Sequence, residues 1–161
     1  MNIFIIGGQF FGNTEREDEI LDSCEEYFPK CNRWKTIAPM STKRAHAAAA
    51  FYREKIFVFG GCTKPDETTG LCEMYSISLE CWSRIASLPV PRRCASSVVV
   101  DNAIYLLCGE DEDKQCVDAV ERYREDDGWL TVAQMPTGRS LTSASRLTFA
   151  KVFLESCENF R

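Results

Sequence analysis

Three arginines, Arg44, Arg92 and Arg139, recur at intervals of 48 and 47 residues. Guanidinium groups held at one register of a repeating scaffold would form an arc of planar donor forks. Such an arc suits carboxylates on an acidic peptide. The other use open to each arginine is a hydrogen bond to a neighbouring loop of the same chain. Arg93 adds a fourth partner-binding candidate, and Lys43 adds charge at the same place in the repeat. Cys94 follows Arg92-Arg93 directly, and nearby positive charge lowers a thiol pKa, which makes it a candidate reactive thiol. Its alternative is a packed strand residue.

Other chemistry is poorly supplied. The single histidine, His46, cannot assemble a multi-histidine copper or zinc site. There is no Gly-x-Ser-x-Gly, no phosphate-cradling glycine loop before a helix, and no paired Ser/His/Asp constellation. The run Gly109-Glu-Asp-Glu-Asp-Lys114 lacks EF-hand spacing for calcium. The expectation is a non-enzymatic protein with no catalytic residues, metal or cofactor.

The 161 residues carry 19 Lys+Arg against 24 Asp+Glu, a net charge of −5. That balance argues against a non-specific nucleic-acid binder. Apolar residues make up 45%, enough for a buried core, and the length alone suggests one domain. Apolar runs such as 3–6 and 98–100 are far shorter than a bilayer span, so no membrane partner is expected. Met1-Asn2 supplies no basic leader region, and a secretory signal is not expected. Nine cysteines, an odd number without a C-x-x-C pair, read as reduced thiols of an intracellular, cytoplasmic protein.

The arginines belong to a longer repeat. Tyr27, Tyr75 and Tyr123 lie 48 residues apart, each two residues after a glutamate (Glu25, Glu73, Glu121). Trp34, Trp82 and Trp129 follow the tyrosines by six or seven positions. Six residues later stands Met40, Leu88 or Met135 beside a proline, and the arginine comes ten after the tryptophan. Small and apolar runs then lead to KIFVFGG and AIYLLCG, and NIFIIGG near the start is a third copy of that element. Each repeat predicts four strands: a small-residue run as in 93–101, a buried apolar run as in 55–61, the Glu-x-Tyr segment as in 71–77, and a Trp-initiated strand. A four-strand unit with a period near 50 and a glycine pair is the pattern of a propeller blade.

The chain resembles the kelch repeats of the BTB-kelch proteins over residues 2 to about 147, without BTB or BACK segments. The resemblance rests on Gly7-Gly8, Gly60-Gly61, the Glu-x-Tyr triplets, the three tryptophans and the three arginines. Cys108-Gly109 departs from the glycine pair. The fold expected is an all-β, kelch-type β-propeller, partial, with about three four-stranded blades in an open arc. The expected layout places kelch repeats at 1–147: a first blade at 2–39 lacking its inner strand, a second at 44–88, a third at 93–135, and the start of a fourth at 139–147. A divergent tail covers 148–161. Six blades at this period need about 290 residues, so the chain alone is expected to be marginal, aggregation-prone or completed by self-association with another copy.

The resemblance puts the arginines at one mouth of the central channel. It assigns structural roles to Gly7, Gly8, Gly60, Gly61, Gly109, the tyrosines and the tryptophans. By family, the function implied is protein recognition, as in substrate adaptors of cullin-RING ubiquitin ligases. Actin binding and a truncated isoform without its own function are the alternatives.

Overall fold

Short apolar runs broken by Gly, Pro, Asp and Asn every few residues favour strands over helices. A computed structural model of the chain describes residues 2–12 and 19–146, and every element among them is a strand. Residues 13–18, with Glu15, Arg16, Glu17 and Asp18, lie outside the described residues, as do position 147 and the tail at 148–161.

Three antiparallel sheets follow one another along the chain. The first holds β1 (Ile3–Phe10), β2 (Glu19–Phe28) and β3 (Arg33–Ile37). The second orders β4 (Ala48–Tyr52), β5 (Lys55–Phe59), β8 (Cys72–Ser76) and β9 (Cys81–Ile85). The third orders β10 (Ser96–Val100), β11 (Ala103–Leu107), β12 (Ala119–Arg124) and β13 (Gly128–Gln134). Among the described residues the fold is all-β, an arc of two four-stranded blades and one three-stranded blade.

A further two-stranded hairpin, β6 (Cys62–Lys64) and β7 (Glu67–Thr68), was not anticipated. It turns at Pro65-Asp66, where Asp66 adopts φ 61. Proline followed by a left-handed residue is a turn signal, so the hairpin had a local signature in the sequence.

The core lies between blades, and β5 shows why. Its side chains alternate, and both sets are buried. Ile56 and Val58 meet Cys24, Ile37 and Met40 of the first blade, with Tyr75 of their own. Phe57 and Phe59 meet Ile104, Leu106 and Tyr123 of the third. Each such side chain contributes about 1.5–3 kcal/mol by leaving water. Opposite β5, the inner strand β4 alternates buried Ala48 and Ala50 with exposed Ala49 and Phe51, because small residues fit the crowded centre of the arc.

Aromatic pairs tie the outer strands together. Tyr75 and Trp82 face each other across β8 and β9 with centroids 5.2 Å apart, and Tyr27–Trp34 and Tyr123–Trp129 repeat this at 4.8 and 5.0 Å. The tryptophans also bridge blades. Trp82 Nε1 donates to the Ala38 carbonyl at 2.7 Å, and Trp129 Nε1 donates to that of Ala86 at 2.9 Å. Trp34 has no such acceptor among the described residues and is 54% exposed.

Candidate functional site

The arginines sit where the last strand of one blade passes to the first strand of the next. The backbone at this junction repeats closely. The Gly8, Gly61 and Gly109 N–H groups donate to the Arg44, Arg92 and Arg139 carbonyls, each at 2.9 Å. Two residues beyond each arginine, His46, Cys94 and Leu141 take φ 56, 55 and 53. Non-glycine residues rarely adopt this conformation. The second glycine of the pair takes φ 117, 96 and 93 in the three blades, and a Cβ on Gly61 would meet the Ala45 carbonyl oxygen at 2.5 Å.

The side chains of Arg44 and Arg92 do not face the channel mouth. This corrects the expected arc of peptide-binding guanidinium groups. Arg44 is 1% exposed and Arg92 is 0% exposed. Arg44 Nη1 donates to the carbonyls of Gly60 at 2.9 Å and Leu71 at 2.6 Å, and its Nη2 reaches Glu73 Oε1 at 2.6 Å. Arg92 repeats the geometry more loosely. Its Nη1 donates to Cys108 and Ala119 at 3.4 and 3.2 Å, and Nη2 lies 2.9 Å from Glu121 Oε2. The physical reason is that these strand-end carbonyls can accept from a buried guanidinium, and the Glu-x-Tyr carboxylate supplies the countercharge. Each arginine therefore locks its own blade.

The two pairs differ in polar completeness. Glu73 Oε2 accepts the Ser41 N–H at 2.8 Å. The matching position before Arg92 is Pro89, which has no N–H. Neither oxygen of Glu121 has a well-aligned hydrogen bond. Burial works against the Glu73 charge, but Ser41 and Arg44 outweigh it and hold the carboxyl below its ordinary value. Burial pushes Glu121 up, with Arg92 opposing, and burial pulls the Arg92 guanidinium down.

Arg139 is exposed, and no ion pair of its side chain occurs among the described residues. Arg93 stands on the loop face with its side chain 14% exposed. Its Nε donates to Glu110 Oε1 at 2.7 Å, and Nη1 lies 3.7 Å from Asp66 Oδ1. Lys114 reaches the same Asp66 oxygen at 2.9 Å. Asp66 comes from the second blade and the other three from the third, so one charged cluster bridges two blades' loops. Lys114 and then Arg93 hold the Asp66 carboxyl below its ordinary value, and Glu110 raises Arg93. Asp66 was not singled out by the sequence; the Pro65-Asp66 turn that presents it was the available signal.

Cys94 is half-buried in the third blade. Burial and then Glu110 push its pKa up, and Arg93 does not offset them. The acidic turn after Gly109 is folded on itself: Asp111 Oδ1 accepts the Asp113 and Gln115 N–H groups at 3.0 and 2.9 Å. No group of three or more metal-ligating side chains occurs among the described residues. His46 is exposed and precedes β4, and its carbonyl accepts the Cys94 N–H at 2.8 Å. No helix among the described residues is long and apolar enough to cross a membrane.

Comparison with known proteins agrees with the blade geometry. The family model for the Kelch motif matches residues 43–89, which span the second blade. No curated protein matches the chain. Among solved structures, that of YjhT is similar with a TM-score of 0.75 at 17% identity, over 86% of this chain and 51% of the YjhT chain. The chain thus spans about half the length of that structure. A Kelch motif thus matches the second blade, and the described strands share the fold of that neighbour as part of a β-propeller.

Proposed function

We propose that the chain is a non-enzymatic protein-recognition module working in the cytoplasm, and that its binding surface is the loop face around Arg93. The observation that carries this reading is the Asp66–Arg93–Glu110–Lys114 cluster. It fixes loops of two blades relative to each other while leaving Asp66 and Lys114 exposed. Loops held by a rigid scaffold are common carriers of binding. Preformed charge of both signs suits a polar or partly acidic peptide. By resemblance, the finer reading is substrate recognition of the cullin-RING adaptor kind.

The test is affinity capture with the immobilised chain, comparing wild type with D66A/K114A and with an outer-strand variant such as R84A. Specific proteins lost with the loop-face variant and retained by R84A support the reading. Capture indifferent to both variants removes it. Co-sedimentation with F-actin that survives D66A/K114A would instead favour the cytoskeletal alternative.

A further inference from the structure

Among the described residues the first blade has the strand order β1-β2-β3, and none of them pairs with β1 on the side where β4 covers β5 and β10 covers β11. A groove of about 720 Å³ fills that position, between Phe4 and Ile6 of β1 and Ala49 and Phe51 of β4. It is mainly apolar.

We propose that this groove takes residues 140–146 of a second copy of the chain, so that two arcs close one two-fold ring. The segment already stands where an inner strand begins. Gly109 N–H donates to the Arg139 carbonyl at 2.9 Å, Leu141 N–H to the Cys94 carbonyl at 3.2 Å, and Ala144 N–H to Ser96 Oγ at 2.7 Å. These bonds lay it along β10, as Cys94 N–H to the His46 carbonyl at 2.8 Å lays the start of the third blade along the second. Both four-stranded blades pair the residue four after the arginine with the residue before the glycine pair or its Cys-Gly equivalent: Ala48 with Phe59, Ser96 with Leu107. The same register sets Ser143 opposite Ile6 of the partner copy, Ala144 opposite Ile5 and Ser145 opposite Phe4. Main-chain bonds added to a free strand edge would hold the two copies, as in other strand additions.

Side chains left over at the two ends complement each other. Arg44 meets Glu73 and Arg92 meets Glu121, always the Glu-x-Tyr carboxylate of the blade the arginine opens. Arg139 is the exposed arginine of this set, and Glu25 is the exposed glutamate, without an ion pair among the described residues. Trp82 and Trp129 dock on Ala38 and Ala86, each two residues before Met40 or Leu88. The third such alanine is Ala133, two before Met135, and the third tryptophan, Trp34, is exposed. Ile3 and Ile5, which match the buried Ile56 and Val58 of the second blade, are also exposed. One docking event satisfies all of these, and two-fold symmetry makes it happen twice.

The test is sedimentation and light scattering of the 161-residue chain, with far-UV circular dichroism as a folding check. Wild type should run at twice the 18.3 kDa chain mass. E25R and R139E alter exposed positions and should each give a folded monomer. Mixing the two single variants should restore a one-to-one dimer, since one junction then carries the swapped pair and the other the native pair. The E25R/R139E double variant should dimerise by itself. A wild-type monomer at high micromolar concentration overturns the proposal. So do a dimer unaffected by either reversal, or open polymers in place of a dimer.

Discussion

Arg44 and Glu73 lie 29 positions apart and meet at 2.6 Å, both side chains almost wholly enclosed within one blade. Forty-eight residues on, Arg92 and Glu121 repeat the pair, but Pro89 stands where Ser41 supplies a backbone donor. A feature that reads as a binding arc in the sequence is thus a set of internal clasps, and the clasps differ in strength.

Removing one partner from the better clasp leaves an uncompensated buried charge. Arg44→Met should lower unfolding free energy by about 3–5 kcal/mol. Urea denaturation followed by tryptophan fluorescence measures it. A loss within experimental error would mean that the pair adds nothing to stability.

The two glutamates should respond to pH with opposite sign. The folded-state pKa of Glu73 lies below its ordinary 4.5, so its contribution is present above that value and is lost as pH falls through the folded pKa. The folded-state pKa of Glu121 lies above 4.5, so stability declines as pH rises from 4.5 towards the folded pKa. Glu73→Gln should remove a loss of stability in acid. Glu121→Gln should remove a decline on the alkaline side of 4.5 and cost less at neutral pH. Denaturation midpoints of both variants across this range decide it; parallel profiles would contradict the assignment.

Trp82→Phe should cost about 1 kcal/mol beyond any packing change, through loss of the indole donor to the Ala38 carbonyl. Trp34→Phe should cost little in the isolated arc. Thermal unfolding at low protein concentration compares them, and equal losses would show that the indole bond is not the difference.

The β4–β5 hairpin turns through Arg53 and Glu54 at φ 50 and 58, a two-residue left-handed turn that favours Asn-Gly. R53N/E54G should therefore raise stability by about 0.5–2 kcal/mol. A lower denaturation midpoint would show that Arg53, 5.0 Å over the Tyr52 ring, matters more than the backbone.

Cys94 should alkylate more slowly than the exposed Cys31, Cys81 and Cys116. Peptide mapping after timed maleimide treatment gives the order. Cys94 among the first residues labelled would reinstate it as a reactive site.

The sequence carried the strands well because one signal was written three times. A lone KIFVF is ambiguous between helix and strand, but copies at one period, each ending in Gly-Gly or Cys-Gly, are not. The direction of Arg44 and Arg92 was harder to read. Spacing places an arginine at a junction, yet whether it turns outward or inward depends on the Gly60, Leu71, Cys108 and Ala119 carbonyls. Those belong to strands brought near only by folding. The Arg93 cluster was half visible. Arg93 and the acidic run beginning at Glu110 stood out by composition, whereas Asp66 reaches them from another blade.

Arg44 and Arg92 each serve two neighbours at once. The side chain grips the blade that follows, and the carbonyl takes the glycine N–H of the blade before. Under mechanical load these two holds act in series through a single residue. Pulling on one blade would transmit tension directly to the clasp of the next. A force trace on the arc should therefore show blades rupturing together, in place of the evenly spaced steps expected of beads on a string.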